Sequence, residues 1–206
     1  MTSLCPDIEV LFIRHGESES NAFWEKNQIE PWIFDPAITE KGYQQAIALK
    51  NRIDFVPDLI ISSPLKRSLL TAELVFDGIE CRQIVSPLVI EALSEADDLG
   101  SLKRDLIVEF PDWDWSLVSD DFWWYVPENY RLLGHSLIDH RSLFKSDPWI
   151  ENADNLNVRI AQFLDWLRNQ EANKIVVFTH GSYIKRIVGF EVGNCDHILK
   201  TYPRQR

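Results

Sequence analysis

The sequence predicts an α/β fold, a three-layer sandwich in which helices cover both faces of a mostly parallel central sheet. Two observations lead to this prediction. Several short runs of β-branched and aromatic residues are apolar on both faces, as in the interior of a parallel sheet. These runs alternate with segments of helical periodicity, an order typical of βαβ units with right-handed crossovers.

Four segments are predicted as strands. Compact apolar runs lie at residues 10–13, 59–62 and 175–179, and a weaker run lies at residues 83–85. None of them alternates between apolar and polar residues, so each is expected to be buried on both faces.

Helices are predicted between the strands. Thr39 is a candidate N-cap, and the helix after it has an apolar side. Ser63 and Pro64 are predicted as the N-cap and first residue of a second helix. A third has apolar residues at spacings of three and four: Leu156, Ile160, Phe163, Leu164 and Leu167.

Residues 111–149 show no sustained period and hold five of the eight tryptophans. We interpret this segment as an irregular or partly helical excursion from a single domain spanning residues 1–206. The tryptophans are expected to pack the excursion onto the core. The alternative is a cap that shapes a pocket for an apolar leaving group.

Composition and charge exclude several classes of function. The chain has 21 basic and 32 acidic residues, a net charge of −11, which argues against binding to nucleic acid or anionic membranes. No apolar run approaches the roughly 20 residues of a membrane span. The three cysteines have no zinc or disulfide spacing, and we expect a cytoplasmic protein. A small anionic substrate in a local basic pocket remains compatible with this balance.

Basic and imidazole side chains follow three of the predicted strands. Arg14 and His15 come after the first strand, Arg67 follows the second, and His180 follows the last. Ligands of open α/β sheets bind beyond the carboxyl ends of the strands, so these side chains are expected to converge. Guanidinium groups and helix N-termini bind phosphate. His135 and His140 lie outside this pattern and are predicted to be structural.

Four segments, in order, resemble the signature of the histidine phosphatase superfamily, which includes the cofactor-dependent phosphoglycerate mutases. They are LFIRHGES at 11–18, ITEKG at 38–42, SPLKR at 63–67 and VFTHG at 177–181. Ile38 stands where the family pattern has leucine. The resemblance spans residues 8 to about 190 and implies a phosphoglycerate mutase-like fold.

The resemblance also implies roles for the converging residues. His15 would attack phosphorus as a neutral imidazole and become phosphohistidine. Contacts to phosphate would come from Arg14, Asn21, Arg67, His180 and the amide of Gly181. Phosphoryl transfer mainly needs positioning and electrostatic stabilisation, so neither a metal nor a cofactor is expected.

A leaving alkoxide needs a proton, and the family places the acid in a Leu-x-Glu segment. Glu95, in the LSE segment at 93–95, matches and is predicted as the general acid. The family's Gly-x-Trp-Glu-Gly sequence after the acid is replaced here by DDLG at 97–100, so Glu91 remains an alternative.

The predicted function is metal-independent hydrolysis of a small phosphomonoester, with a phosphoprotein substrate also open. The first alternative is phosphoglycerate mutase-type transfer, but the acid segment of the mutases and their basic insertion are missing. The second is a non-enzymatic module that binds a phosphorylated ligand. Against it stands the intact set of two arginines and two histidines.

Overall fold

A central five-stranded sheet organises the computed structural model, which describes residues 7–131 and 137–204. The strands are β1 (Ile8–Arg14), β2 (Leu59–Ser62), β3 (Arg82–Val85), β4 (Lys174–Thr179) and β5 (His197–Tyr202). Their order across the sheet is β3-β2-β4-β1-β5. The first four are parallel, and β5 pairs antiparallel with β1 at one edge. The four predicted strands are confirmed; β5 was not predicted.

Eight helices surround the sheet in the described part of the chain. They are α1 (Glu19–Asn27), α2 (Glu40–Arg52), α3 (Lys66–Val75), α4 (Lys103–Glu109), α5 (Glu128–Arg131), α6 (Leu137–Ser146), α7 (Ala153–Arg168) and α8 (Gly181–Val188). Two short 3-10 helices, Pro87–Val89 and Ala96–Asp98, follow β3. None of the helices in the described ranges is long and apolar enough to cross a membrane.

Successive residues of each inner strand enter two different apolar clusters. In β1, Leu11 and Ile13 pack with residues of α2 and α3, whereas Val10 and Phe12 pack with residues of α7 and α8. Both faces of the parallel strands are therefore covered, which explains why their sequences do not alternate. The predicted three-layer α/β architecture is confirmed.

Helix starts follow the sequence signals at α2 but not at α3. The Thr39 hydroxyl accepts a hydrogen bond from the amide of Gly42 at 3.1 Å, so the predicted cap is confirmed. The prediction of Ser63 and Pro64 as N-cap and first helical residue was wrong, because α3 begins at Lys66. The Ser63 hydroxyl instead bonds His180 at 2.8 Å.

The five tryptophans of residues 111–149 are all buried, and they belong to the cluster on the α2–α3 face. Four donate their indole N–H groups: Trp113 to Glu73, and Trp115, Trp123 and Trp149 to backbone carbonyls. Packing onto the core thus accounts for this segment. His140 is also buried, against the rings of Phe122 and Trp124. His135 lies outside the described residues.

Candidate active site

Two histidines and an arginine meet where β1 and β4 end side by side. Arg14 pairs in register with Thr179, so the next residues, His15 and His180, emerge together from the carboxyl edge of the sheet. Their ring centroids are 5.1 Å apart. The predicted convergence of the two imidazoles is therefore present in the structure.

The protonation of His15 is fixed by its own loop. Its Nδ1 lies 2.7 Å from the carbonyl oxygen of Gly16, which can only accept, so Nδ1 carries the proton and Nε2 carries a lone pair. Burial lowers the pKa of His15 well below its usual value, and the charges of Arg67 and Arg14 lower it further. At neutral pH the ring is uncharged, and the lone pair on Nε2 is available.

His180 presents its other ring nitrogen to the site. Its Nε2 lies 2.8 Å from the Ser63 hydroxyl, which itself accepts from the amide of Leu65 and so can donate to the ring. Burial, followed by the charge of Arg67, holds the pKa of His180 well below its usual range. We assign the single proton of the neutral ring to Nδ1, which is buried without a partner among the described residues.

Arg14 supplies a second buried group without a partner among the described residues. Its Nη1 donates to the carbonyl of Val192 at 2.7 Å, which holds the guanidinium in place, while its Nε makes no hydrogen bond to any of those residues. A Cβ added at Gly181 would lie only 3.3 Å from Cζ of Arg14, so the guanidinium packs against the start of α8. Unpaired buried donors are costly, so these two N–H groups are candidates to bind an anion.

Arg67 is held by the 3-10 helix Ala96–Asp98. Its Nη2 pairs with Asp98 at 2.9 Å, and its Nη1 donates to the carbonyl of Asp97 at 2.5 Å. Burial lowers the pKa of Arg67, but the carboxylates, Asp97 and Asp98 foremost, raise it by more. Arg67 therefore stays protonated, and these two contacts fix the orientation of its terminal nitrogens.

Residues of α2 and α3, among them Gly42 of the ITEKG segment, support the loop after β1. The Gly16 amide donates to Thr71 at 3.0 Å, and the Glu17 amide donates to Gln45 at 2.8 Å. A Cβ at Gly42 would come within 2.2 Å of the Glu17 carbonyl, so only glycine allows this approach. These contacts explain why residues far from His15 in sequence share its signature.

Asn21 lies beside the cluster rather than inside it. Its side-chain oxygen accepts from the Ser18 amide and from Asn194, both at 3.2 Å. With Arg14 it lines a cavity of about 470 Å³. We call this cavity the mouth; its wall also includes Ser20, Trp24, Glu30 and Asp97.

The two candidate acids occupy different surroundings. Glu91 accepts from the amides of Ser182 and Tyr183 at 3.1 and 3.2 Å, in the first turn of the helix that follows His180. Burial raises the pKa of Glu91, while backbone hydrogen bonds and the charges of Arg67 and Arg14 lower it in part. The structure therefore brings Glu91 to the cationic cluster.

Glu95 does not share those neighbours. Burial raises its pKa, and the charges that act on it come from two other acids, Glu30 and Asp97. The geometry therefore favours the alternative, Glu91, over the residue that matched the family spacing. A sequence signal for this exists, since Glu91 is the single charge within the apolar run 88–93.

A buried ion pair fixes the segment that carries Glu91. Arg159 on α7 pairs with Glu151 at 2.6 Å and donates to the carbonyls of Ile90 and Glu91 at 2.7 and 3.2 Å. This support was not predicted from the sequence, nor were the contacts of Asp98 and Ser63, because such contacts join distant parts of the chain. Within residues 7–131 and 137–204, no group of three or more metal-ligating side chains is arranged to hold an ion.

Comparison with curated proteins gives relatives named as phosphatases and mutases. The chain is 27% identical to phosphoserine phosphatase 1 of Hydrogenobacter thermophilus, over 82% of this chain and 69% of that protein. It is 33% identical to a probable phosphoglycerate mutase of Erwinia tasmaniensis, over 90% of this chain and 75% of that protein. A probable phosphatase of Schizosaccharomyces pombe is 30% identical over 59% of this chain, which spans 58% of that relative.

Solved structures share the fold. The α-ribazole phosphatase of Shigella flexneri superposes with a TM-score of 0.60 at 20% identity, covering 96% of this chain and 95% of that one. A phosphoglycerate mutase of Thermus thermophilus gives 0.54 at 22% identity, with coverage of 96% and 95%. The family model for branch 1 of the histidine phosphatase superfamily matches residues 10–193. The chain therefore belongs to branch 1 of the histidine phosphatase superfamily.

Proposed function

We propose that the protein hydrolyses phosphomonoesters through a phosphohistidine on His15, without a metal. One observation carries the proposal: two buried N–H groups, Arg14 Nε and His180 Nδ1, have no partner in residues 7–131 and 137–204, and they accompany a neutral imidazole whose Nε2 is unprotonated. Donors of this kind stabilise the charge on the equatorial oxygens of a phosphoryl group in the transition state.

In the first step the lone pair of His15 Nε2 attacks phosphorus. An N–P bond forms, the P–O bond to the leaving group breaks, and the electron pair of that bond stays on the leaving oxygen. Arg14, Arg67 and His180 hold the three non-bridging oxygens, and Gly181 and Asn21 are proposed as further contacts. Glu91 gives its proton to the leaving alkoxide.

In the second step Glu91, now a carboxylate, takes a proton from water. The water oxygen attacks phosphorus, the N–P bond breaks, and inorganic phosphate leaves a neutral His15. Burial already raises the pKa of Glu91, and a bound phosphate dianion would raise it further, as an acid at neutral pH requires.

The substrate is proposed to be a small phosphorylated molecule, because the mouth, an open cavity of about 470 Å³, has a volume typical of sites for small ligands. Cys81 and Cys195 are free thiols, which fits the cytoplasmic location that we propose.

Hydrolysis of p-nitrophenyl phosphate in excess chelator tests the proposal. The His15→Ala variant should lose at least about a thousandfold in kcat, since covalent catalysis through the ring is gone. His197→Ala, which removes an exposed imidazole on β5, is the matched control and should keep full activity. Undiminished activity of His15→Ala, or loss of wild-type activity in chelator, would contradict the mechanism.

Mutase-type transfer is the competing function, supported by the names of two similar proteins. The products made from 3-phosphoglycerate separate the two. Hydrolysis releases inorganic phosphate, whereas a mutase returns the phosphoryl group and yields the 2-isomer. Predominant isomerisation would replace the hydrolase proposal.

A further inference from the structure

The wall of the mouth is acidic, and its acids are of two kinds. Glu17 and Glu25 both pair with Lys41, at 2.5 and 3.3 Å. The side chains of Glu30 and Asp97 make no ion pair or hydrogen bond to any residue that the structure describes. Glu30 thus has no cationic partner among the described residues, whereas the charge of Asp97 acts on Arg67, which Asp98 already pairs with directly.

These two carboxylates act on each other. Burial raises the pKa of Glu30, and the charge of Asp97 raises it further. Asp97 shares the charge of Arg67 with Asp98, which forms the direct ion pair, so that one arginine serves two carboxylates. A cation placed between Glu30 and Asp97 would relieve this repulsion.

A buried hydroxyl in the same wall has no partner. Ser20 is only 3% exposed and lines the mouth, yet its Oγ makes no hydrogen bond within the described residues. A buried hydroxyl left unsatisfied is destabilising, so its position in the wall indicates a bound polar group. This observation is independent of the acids.

An aromatic ring completes the wall. Trp24 lies one turn after Ser20 on α1, lines the mouth and is 47% exposed. Indole faces attract organic cations such as alkylammonium groups. A site built from carboxylates, a hydroxyl and an indole face would bind a protonated amine in preference to a carboxylate.

We propose that the mouth selects phosphomonoesters whose alcohol portion carries a protonated amine. The amine would lie between Glu30 and Asp97, against the Trp24 face, with the Ser20 hydroxyl accepting one of its N–H groups. The proposal rests on the proposed hydrolase function, because the phosphate must sit on Arg14 for the leaving group to reach the mouth. Acids in this place would disfavour a substrate that bears a carboxylate.

Three esters of similar size test the selection: O-phosphoethanolamine, 2-hydroxyethyl phosphate and phosphoglycolate. Their leaving groups carry a positive charge, no charge and a negative charge. The quantity to measure is the ratio of kcat/KM for the amine to kcat/KM for the hydroxyl ester. Differences in intrinsic reactivity cancel when this ratio is compared between wild type and variants.

The double variant Glu30→Gln with Asp97→Asn should lower that ratio about tenfold, and each single variant about threefold, as for partly exposed ion pairs. Ser20→Ala should lower it about threefold. The double variant should also raise kcat/KM for phosphoglycolate. Glu80→Gln, which removes an exposed acid just before β3 at the opposite edge of the sheet, is the matched control and should leave the ratio unchanged.

The outcomes separate this inference from the function on which it rests. A ratio that stays within twofold of wild type in the double variant overturns the inference. So does a wild-type enzyme that hydrolyses p-nitrophenyl phosphate through His15 but prefers phosphoglycolate or accepts none of the three esters. Absence of any His15-dependent hydrolysis of p-nitrophenyl phosphate overturns the hydrolase proposal itself.

Discussion

The cationic cluster around His15 and the acidic mouth are adjacent regions of the molecule with opposite charge. The cluster of Arg14, Arg67 and the two histidines comes from strand ends and the first turn of α3. Arg14, Arg67 and His180 are held by contacts to other elements, and His15 by the carbonyl of Gly16 in its own loop. The mouth is lined mainly by α1, the loop after it and a 3-10 helix, and of its four acids Glu30 has no partner among the described residues. We infer a division of roles, in which the cluster binds the phosphoryl group and the mouth contacts the leaving group.

That division has a physical basis. The phosphoryl group is the same in every monoester, so the groups that bind it belong on rigid elements with fixed directions. The leaving group differs between substrates, and loops vary without disturbing the sheet. Variants of the cluster should therefore slow all substrates alike, whereas variants of the mouth should change their ranking.

Removal of the Arg67 charge is expected to have the largest effect. Arg67→Met combined with Asp98→Asn avoids leaving a buried carboxylate unpaired. This double variant should lose about a thousandfold in kcat/KM, equally for aryl and alkyl esters, as for loss of a transition-state donor. Arg104→Met, which removes an exposed arginine paired with Asp121, is the control. A loss confined to one class of substrate would break the proposed division.

Glu91 is the proposed proton donor to the leaving group, so its effect should depend on that group. Glu91→Gln should lose about a hundredfold on an alkyl ester and little on p-nitrophenyl phosphate, whose leaving group needs no proton. Glu95→Gln removes the same charge four residues away and should leave the alkyl-to-aryl ratio unchanged. The reverse result would return the role of general acid to Glu95.

The hydroxyl that orients His180 should have a smaller effect. Ser63→Ala removes the partner at 2.8 Å and leaves Ser68 at 3.3 Å, so the ring loses its fixed tautomer only in part. A loss of about tenfold in kcat/KM is expected for every substrate. Ser62→Ala, a neighbouring buried serine, serves as control. A Ser63→Ala enzyme with wild-type rates would show that His180 is held without it.

The smallest effect concerns stability, because both histidines are buried as neutral rings. Their pKa values lie well below the usual value of about 6.5, so below that pH the unfolded chain binds protons that the folded chain excludes. Stability should therefore fall as the pH drops through 6 towards 5, by at most about 1.4 kcal/mol per pH unit for each histidine.

Thermal unfolding between pH 5 and 8 measures this dependence. The His15→Gln variant should show a shallower fall in Tm than wild type, and His197→Gln should show the same fall. The difference between the proteins isolates the histidine from acids such as Glu91, whose raised pKa acts in the opposite direction. Parallel curves for wild type and His15→Gln would contradict a neutral, buried ring.

The cluster was predictable from the sequence because it depends on strand ends. Once residues 10–13 and 175–179 are identified as parallel inner strands, their next residues must share an edge of the sheet. The edge strand β5 was not predicted, because it lacks the continuous apolar run of the inner strands. Its residues alternate between exposed and half-buried.

The acid and the mouth were less predictable, since they depend on contacts between distant segments. The family spacing predicted Glu95 as the acid. In the fold, the chain after β3 brings Glu91 against the first turn of α8. The sequence at Ser63 predicted a helix cap, but in the fold the Ser63 hydroxyl bonds His180. Nothing local distinguishes Asp97, in the mouth, from Asp98, buried against Arg67.

The central claim is that the phosphoryl group passes through His15. Rapid mixing with p-nitrophenyl phosphate, quenching in base and peptide mass spectrometry test it most directly. One phosphoryl group is predicted on the peptide that contains His15, stable in base, labile in acid and absent from His15→Ala. Phosphate on another residue, or single-turnover hydrolysis by His15→Ala at the wild-type rate, would contradict the account.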